Sequence, residues 1–205
     1  MTLLDRKNKE IVSSSFSYND VSNHKHLEQL PSTAILATGE FDAGKIISKP
    51  DNFFWLAFSL SDLVEDFVKE INIKYHDEFV CRLISVSLRG SPFAAAISLL
   101  TSPEIKYDTV DHLGPKHKLF DIEFFDKLKL STKEKVRYIY FGDFIIGGTE
   151  LKIAQTYSQI YGYELKHAVV IGSYFNETRY LPGVEVKSLV KLNKLGISEL
   201  KFVLE

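Results

Sequence analysis

Apolar and polar residues follow two different periods along this chain. From Leu60 to Ile71 the apolar side chains recur at helical spacing, which predicts an amphipathic helix that covers a sheet. Ser59 and Asp62 fit a capping box, so we expect this helix to begin there. Short apolar runs predict strands at 79–86, 105–110, 136–141, 168–171 and 184–190, with further helices at 93–100 and at about 149–161.

Strands that alternate with helices predict an α/β domain with a mostly parallel central sheet and helices on both faces. In such sheets, ligands bind beyond the carboxyl ends of the strands. The chain has 205 residues and is 45% hydrophobic, which is enough for one substantial core. We therefore expect a single domain over 23–205, preceded by an arm or a short helix over 1–22.

Charge and cysteine content narrow the class of protein. The formal net charge is -2, so the composition favours neither nucleic acid nor an anionic membrane as a partner. Cys81 lies in an apolar run, which is typical of inert core packing, and a single cysteine forms no intramolecular disulfide. No apolar stretch approaches the ~18 residues that a membrane-spanning helix needs. We expect a cytoplasmic protein.

Segment 138–149 combines an apolar strand, a glycine-rich turn and the start of a helix. Backbone N–H groups at Gly147 and Gly148, supported by the helix dipole, would bind a phosphate, with the Thr149 hydroxyl as a further donor. Asp143 at the strand end offers a carboxylate to ribose hydroxyls. The alternative interpretation is that Asp143 caps its own turn.

A second strand-to-helix turn lies at 87–96 and contains Arg89, Gly90 and Ser91. A guanidinium group beside a helix N-terminus suits an anion such as pyrophosphate. An ordinary turn with a solvated arginine is the alternative interpretation.

Segment 138–151 resembles the phosphoribosyl pyrophosphate (PRPP) motif of type I phosphoribosyltransferases, in which an apolar strand leads to two acids and a small-residue phosphate loop. Asp143 matches the second acid and 147–149 the phosphate loop. Gly142 stands in place of the first acid, and Ile146 stands in that loop in place of a threonine. The turn at 87–96 is similar to the family's pyrophosphate loop.

The resemblance is closest to orotate phosphoribosyltransferases, and it extends upstream to their small N-terminal hood, here at about 24–58. It implies that Lys45 approaches phosphate oxygens and that Phe53 or Phe54 stacks on the base. A core position would suit the two phenylalanines equally well.

The connection 111–135 stands where the family has a mobile catalytic loop. The resemblance implies that Lys116 and His117 neutralise the charge that develops on a departing pyrophosphate. A solvated basic turn is the competing interpretation. A metal cluster of Asp111, His112 and His117 fits no standard ligand spacing.

The resemblance implies a homodimer that binds PRPP, a nucleobase and Mg²⁺, with Asp143 as an indirect partner of the metal. Ribose 5-phosphate would pass to the base with release of pyrophosphate. This chain has Gly172-Ser173-Tyr174 where orotate enzymes carry an Asp-Arg pair, so the resemblance does not name the base. A non-catalytic PRPP or nucleotide sensor is the second hypothesis, which Gly142 favours. If ribose binds here, Gly142→Asp should raise the affinity for PRPP.

Overall fold

The computed structural model describes residues 2–18, 28–29, 35–37, 39–76, 79–86, 89–101, 105–109, 136–145, 148–160, 164–173, 183–191 and 203–204. Within these ranges the helices are α1 (Leu3–Ser13), α2 (Ala43–Ile47), α3 (Pro50–Tyr75), α4 (Ser91–Leu100) and α5 (Thr149–Ile160). The strands are β1 (Phe16–Tyr18), β2 (Glu28–Gln29), β3 (Ile35–Ala37), β4 (Gly39–Phe41), β5 (Val80–Ser85), β6 (Lys106–Thr109), β7 (Val136–Ile145), β8 (His167–Ser173), β9 (Glu185–Lys191) and β10 (Val203–Leu204).

The central sheet has five strands in the order β6-β5-β7-β8-β9, and every pairing in it is parallel. β7 lies in the middle, where Ile139 pairs with Leu83 of β5 and Phe141 pairs with Val169 of β8. The predicted mostly parallel sheet is confirmed. Because all five strands run in one direction, the loops that follow β5 and β7 leave the sheet at the same edge.

Helices cover both faces of this sheet, as the alternation of helices and strands predicts. Ile139 and Phe141 of β7 belong to the core cluster that includes buried residues of α1, α3 and α4. Tyr138 and Tyr140 point to the other face, where they share a second cluster with Leu151 and Ala154 of α5. Residues 138–141 of β7 therefore alternate between the two helical layers.

The prediction that α3 begins at Ser59 is wrong, because the helix begins at Pro50. Proline is suited to the first helical turn, where its missing N–H has no intrahelical partner to lose, and Asp51 complements the helix dipole. The Ser59 hydroxyl donates to the carbonyl of Trp55 at 3.1 Å, within the helix, instead of capping a new one. Residues 50–58, which we expected in the hood, are the first turns of α3.

The sequence predicted either an arm or a short helix over residues 1–22. The structure has a short helix there, α1. Thr2 and Asp5 form a capping box, with hydrogen bonds of 3.1 and 2.8 Å in its two directions. Buried Asn8 accepts a hydrogen bond from the indole N–H of Trp55 at 2.9 Å. The ammonium group of Lys7 lies 3.4 Å from the centroid of the same indole. These contacts attach α1 to α3.

A strand pair that joins the predicted arm to the predicted hood lies at the carboxyl edge of the central sheet. β1 and β4 form an antiparallel pair, and β10, β3 and β2 form a small antiparallel sheet. The rings of Phe16 and Phe41 lie 5.2 and 5.3 Å, centroid to centroid, from Phe144 near the end of β7.

Within the described residues, no helix is long and apolar enough to span a membrane.

Candidate functional site

The two glycine-bearing turns meet at the carboxyl edge of the sheet. A Cβ atom on Gly90 would lie 3.5 Å from the carbonyl oxygen of Phe141 and 3.6 Å from the backbone nitrogen of Asp143. The start of α4 therefore lies directly against the end of β7. Arg89 is exposed beside this contact, and its positive charge acts to lower the pKa of Asp143. The structure brings the predicted pyrophosphate loop, which also includes Ser91, next to the predicted ribose acid.

Asp143 is a buried carboxyl group in an unusual electrostatic environment. Its side chain is almost completely enclosed, and it accepts a hydrogen bond from the backbone N–H of Phe144 at 2.6 Å. Burial, followed by the negative charge of Glu150, raises the pKa of Asp143 from 3.8 to about 7. The Phe144 bond is a local turn contact, as the alternative interpretation proposed, but a carboxylate has further lone pairs for a ligand.

Gly148 forms the turn between β7 and α5. Its φ of 71° lies in the left-handed region, which glycine adopts without the steric cost of a Cβ atom. Its carbonyl already accepts the N–H of Lys152 at 2.9 Å, so helical hydrogen bonding begins here. Thr149 and Glu150 lie in the first turn of α5. The backbone N–H groups of a first helical turn have no acceptor within the helix, so they suit an anion. Ile146 and Gly147 lie outside the described residues.

Tyr140 and Glu150, neither of which was predicted from the sequence as a site residue, also belong to this region. A Cβ atom on Gly142 would lie only 2.6 Å from the phenolic oxygen of Tyr140 and 2.7 Å from its Cε1. The Tyr140 hydroxyl donates to Oε2 of Glu150 at 3.2 Å. Burial, with the charges of Glu150 and Asp143, raises the pKa of Tyr140 well above 10.0, so the phenol stays protonated.

Lys45 lies on α2, in the hood. Its ammonium group donates to the backbone carbonyl of Phe16 at 3.2 Å. Phe16 packs on Phe144, the residue after Asp143, so Lys45 is attached to a strand that contacts the candidate site. The side chain is exposed in the structure, and its predicted approach to phosphate stays a prediction.

Phe53 and Phe54 lie in the first turns of α3. The Phe53 ring lies 4.9 Å, centroid to centroid, from Phe93, a fully buried residue of α4. The Phe54 side chain is 56% exposed. Phe53 therefore contributes to core packing, as the alternative interpretation proposed, and Phe54 is the member of the pair that is open to a ligand.

The predicted catalytic loop, with Lys116 and His117, lies outside the described residues, as do Asp111 and His112. In the part of the chain that the structure describes, no group of three or more His, Cys, Asp or Glu side chains could hold a metal ion. Mg²⁺ commonly uses one or two carboxylates together with substrate phosphates. Asp143, with Glu150 in electrostatic range, fits that limited role.

Comparison with solved structures identifies the fold. An orotate phosphoribosyltransferase from Aeropyrum pernix superposes with a TM-score of 0.58 at 15% identity, over 96% of this chain and 98% of that one. The Mycobacterium tuberculosis orotate phosphoribosyltransferase in complex with PRPP gives 0.56 at 13% identity, over 91% and 96%.

The likeness is not restricted to orotate enzymes. An adenine phosphoribosyltransferase from Trypanosoma brucei, in complex with AMP, pyrophosphate and ribose 5-phosphate, gives a TM-score of 0.57 at 12% identity, over 97% of this chain and 83% of that one. Neither a protein-family model nor a curated protein sequence matches the chain. The similarity to these solved structures shows that the chain has the type I phosphoribosyltransferase fold, which the sequence resemblance predicted.

Proposed function

We propose that this protein binds PRPP and transfers ribose 5-phosphate to a nucleobase, with release of pyrophosphate. The observation that carries the proposal is the close approach of Gly90 to the backbone of Asp143, which brings the proposed pyrophosphate turn next to a buried carboxyl group at one sheet edge. A phosphate loop at Gly148 follows the same strand. Structures of this fold in complex with PRPP or with its products support the same ligand class.

Each part of the site has a defined task in this reaction. The backbone of 147–149 would hold the 5′-phosphate, and the turn at Arg89, Gly90 and Ser91 would hold the pyrophosphate. Asp143 would accept hydrogen bonds from ribose hydroxyls. Bound Mg²⁺ would offset the charge of the phosphates. These contacts orient the ribose for attack and stabilise the leaving group, which are the main sources of rate in such a transfer.

The remaining predicted residues surround the leaving group and the base. Lys45 from the hood, with Lys116 and His117 from the 111–135 connection, would neutralise charge on the departing pyrophosphate. Phe54 is the better placed of the two phenylalanines to stack on a base, because its ring is exposed. At the end of β8, Ser173 is buried and hydrogen-bonded to Ser188 at 2.7 Å, and neither side chain carries the positive charge that suits orotate's carboxylate.

A PRPP or nucleotide sensor without turnover is a second candidate. It is favoured by one observation, the Tyr140 ring that fills the space beside Gly142, where the family's first acid would project. A site of this kind would keep its phosphate contacts and lose part of its hold on the ribose. A screen for pyrophosphate release over a set of nucleobases, orotate included, separates the two functions, since only the transferase releases pyrophosphate in a base-dependent manner.

Isothermal calorimetry with PRPP in saturating Mg²⁺ tests the binding that both functions share. Gly148→Val should weaken PRPP binding roughly tenfold or more, because hydrogen bonds to a charged phosphate are worth ~1.5–3 kcal/mol each. Gly183→Val is the matched control. Gly183 also has a positive φ, 84°, but precedes β9 at the opposite edge of the sheet, and a Cβ atom there would meet nothing within 4 Å.

Both valine variants carry backbone strain, so circular dichroism should first establish that each is folded. The proposal requires that Gly183→Val keep the parent affinity while Gly148→Val loses it. Absence of PRPP binding by the parent, or equal affinity in the two variants, would overturn it.

A further inference from the structure

We propose that Glu150 supplies the second carboxylate of the ribose site, in place of an acid at position 142, and that Tyr140 positions it. This inference rests on the proposed function. It assigns to a residue of α5 the contact with the ribose diol that the family's motif places on the strand.

The Tyr140 ring fills the space beside Gly142. Residues two apart on a strand point to the same face, so Tyr140 and a side chain at 142 would compete for one region. The phenol already occupies it, since a Cβ atom on Gly142 would lie 2.6 Å from the phenolic oxygen. No side chain fits at position 142 while Tyr140 keeps this position.

Glu150 lies at the hydroxyl end of the Tyr140 ring. The Tyr140 hydroxyl donates to Glu150 Oε2 at 3.2 Å, so a carboxylate lies one hydrogen bond beyond the filled space. Tyr140 is only 2% exposed and is itself enclosed. Glu150 is partly exposed and lies in the first turn of α5, next to the phosphate loop. Glu150 is thus the group of this pair that a ligand reaches.

Glu150 also acts electrostatically on Asp143. The charge of Glu150 is strong enough at Asp143 to be the second cause of its raised pKa, after burial. The two carboxyl groups therefore interact electrostatically at the end of β7 that leads to the proposed phosphate loop. A carboxylate has about four lone-pair positions, so the bond from Tyr140 leaves Glu150 capacity for a ribose hydroxyl.

A structural role is the competing explanation, in which Glu150 only satisfies the buried phenol. Two ligands separate the explanations. PRPP carries the ribose diol together with phosphates, whereas inorganic pyrophosphate carries phosphates alone. If Glu150 binds the diol, its removal lowers the affinity for PRPP but not the affinity for pyrophosphate. Loss of a negative charge from the protein does not weaken the binding of an anion. A structural defect at the site would lower the affinity for both ligands.

The experiment is calorimetry in saturating Mg²⁺ with both ligands on the parent, Glu150→Gln and the control Glu164→Gln. Glutamine keeps an oxygen that accepts the Tyr140 bond. Glu164 is a matched exposed carboxylate that pairs with Lys166 at 2.7 Å and precedes β8, at the far edge of the sheet. We expect Glu150→Gln to weaken PRPP roughly tenfold or more with no loss of pyrophosphate affinity, and Glu164→Gln to match the parent.

Tyr140→Phe adds a second measurement that does not depend on Glu150→Gln alone. It removes the hydrogen bond that positions Glu150, so we expect a smaller loss of PRPP affinity. The double variant should be no weaker than Glu150→Gln, because the two residues act through one contact.

The outcomes separate this inference from the proposed function. If the parent binds PRPP and Glu150→Gln binds it equally well, or loses both ligands to the same degree, Glu150 does not contact the ribose and the proposed function stands. If the parent fails to bind PRPP, both proposals are overturned.

Discussion

The phenol of Tyr140 occupies the space into which a side chain at Gly142 would project. Tyr140 is almost fully buried, so its ring has little room to move aside. Glycine at 142 is therefore a packing requirement of this strand, in addition to being a departure from the family's motif. The glycine at 142 and the tyrosine two residues earlier thus share one space, which a side chain at only one of the two positions can fill.

Gly142→Ala should destabilise the protein by about 1–3 kcal/mol, the usual cost of an atom forced into a packed region. Urea denaturation of the parent and the variant measures this change. Tyr140→Leu combined with Gly142→Ala is the control, because removal of the ring makes space for the new methyl group. The two single costs should exceed the cost of the double variant, and simple additivity would contradict the contact.

The same contact changes the expectation for Gly142→Asp. From the sequence alone, an acid at 142 should raise PRPP affinity. In the structure its Cβ atom would lie 2.6 Å from the Tyr140 oxygen, and its charge would lie near Asp143 and Glu150. We now expect this variant to be less stable than the parent and to show no gain in PRPP affinity. Tighter binding by a folded Gly142→Asp would show that Tyr140 yields readily.

Cys81 should be chemically inert in the native state. It is 1% exposed, and burial raises the pKa of its thiol from 9.0 to about 12, so almost no thiolate exists at neutral pH. A thiol reagent such as 5,5′-dithiobis(2-nitrobenzoic acid) should modify the protein only as urea unfolds it. Rapid modification at pH 8 without denaturant would be inconsistent with this packing.

Much of the fold could be predicted from local pattern. The apolar runs gave the five parallel strands, since buried strands read as short hydrophobic segments bounded by polar turns. The start of α3 could not be placed correctly, because Ser59 and Asp62 imitate a capping box inside a longer helix. Pro50 and Asp51 were the better signal, as they combine the favoured first-turn proline with an acid at the helix N-terminus.

The site was predictable only in part, for a physical reason. The turns at Gly90 and Gly148 are local features, and the parallel topology brings them to one edge. The Tyr140–Glu150 contact depends on how α5 crosses the sheet, which no local period determines. A tyrosine two residues before a glycine in a strand was nevertheless a usable signal, because the two positions share a face.

Asp143→Asn should change how stability depends on pH. The folded pKa of Asp143, about 7, lies above its ordinary value of 3.8, so the folded state binds the proton more tightly than the unfolded state. The stability that protonated Asp143 contributes is fully present below about pH 4 and is lost as the pH rises through 7. The variant avoids the loss, and at pH 8 it should be more stable than the parent by on the order of 4 kcal/mol.

Chemical denaturation at several pH values measures this effect. Asparagine still accepts the N–H of Phe144, so the local hydrogen bond is a constant in the comparison. Equal stability of parent and variant at pH 8 would mean that Asp143 ionises in the folded protein without penalty.

Native His167 should contribute a pH dependence of stability opposite in sign to that of Asp143, and His167→Leu should remove it. His167 is buried, and its ring lies 5.6 Å from Phe67 and 6.1 Å from Tyr75, centroid to centroid. Burial lowers the pKa of His167 from 6.5 to about 4, so the unfolded state binds this proton more tightly than the folded state. The parent therefore loses stability from this group as the pH falls from about 6.5 to 4, by on the order of 3 kcal/mol.

The two pH ranges overlap between about 4 and 7, where Asp143 and His167 act in opposite directions. The free energy of unfolding of the parent should therefore change little with pH between about 4 and 7. His167→Leu removes one contribution, so its stability should fall as the pH rises across that range, while Asp143→Asn should become more stable over the same interval. The double variant should return to a shallow profile, because neither proton is then exchanged on unfolding. Two single-variant profiles that slope in the same direction would show that at least one of these groups does not have the folded-state pKa given above.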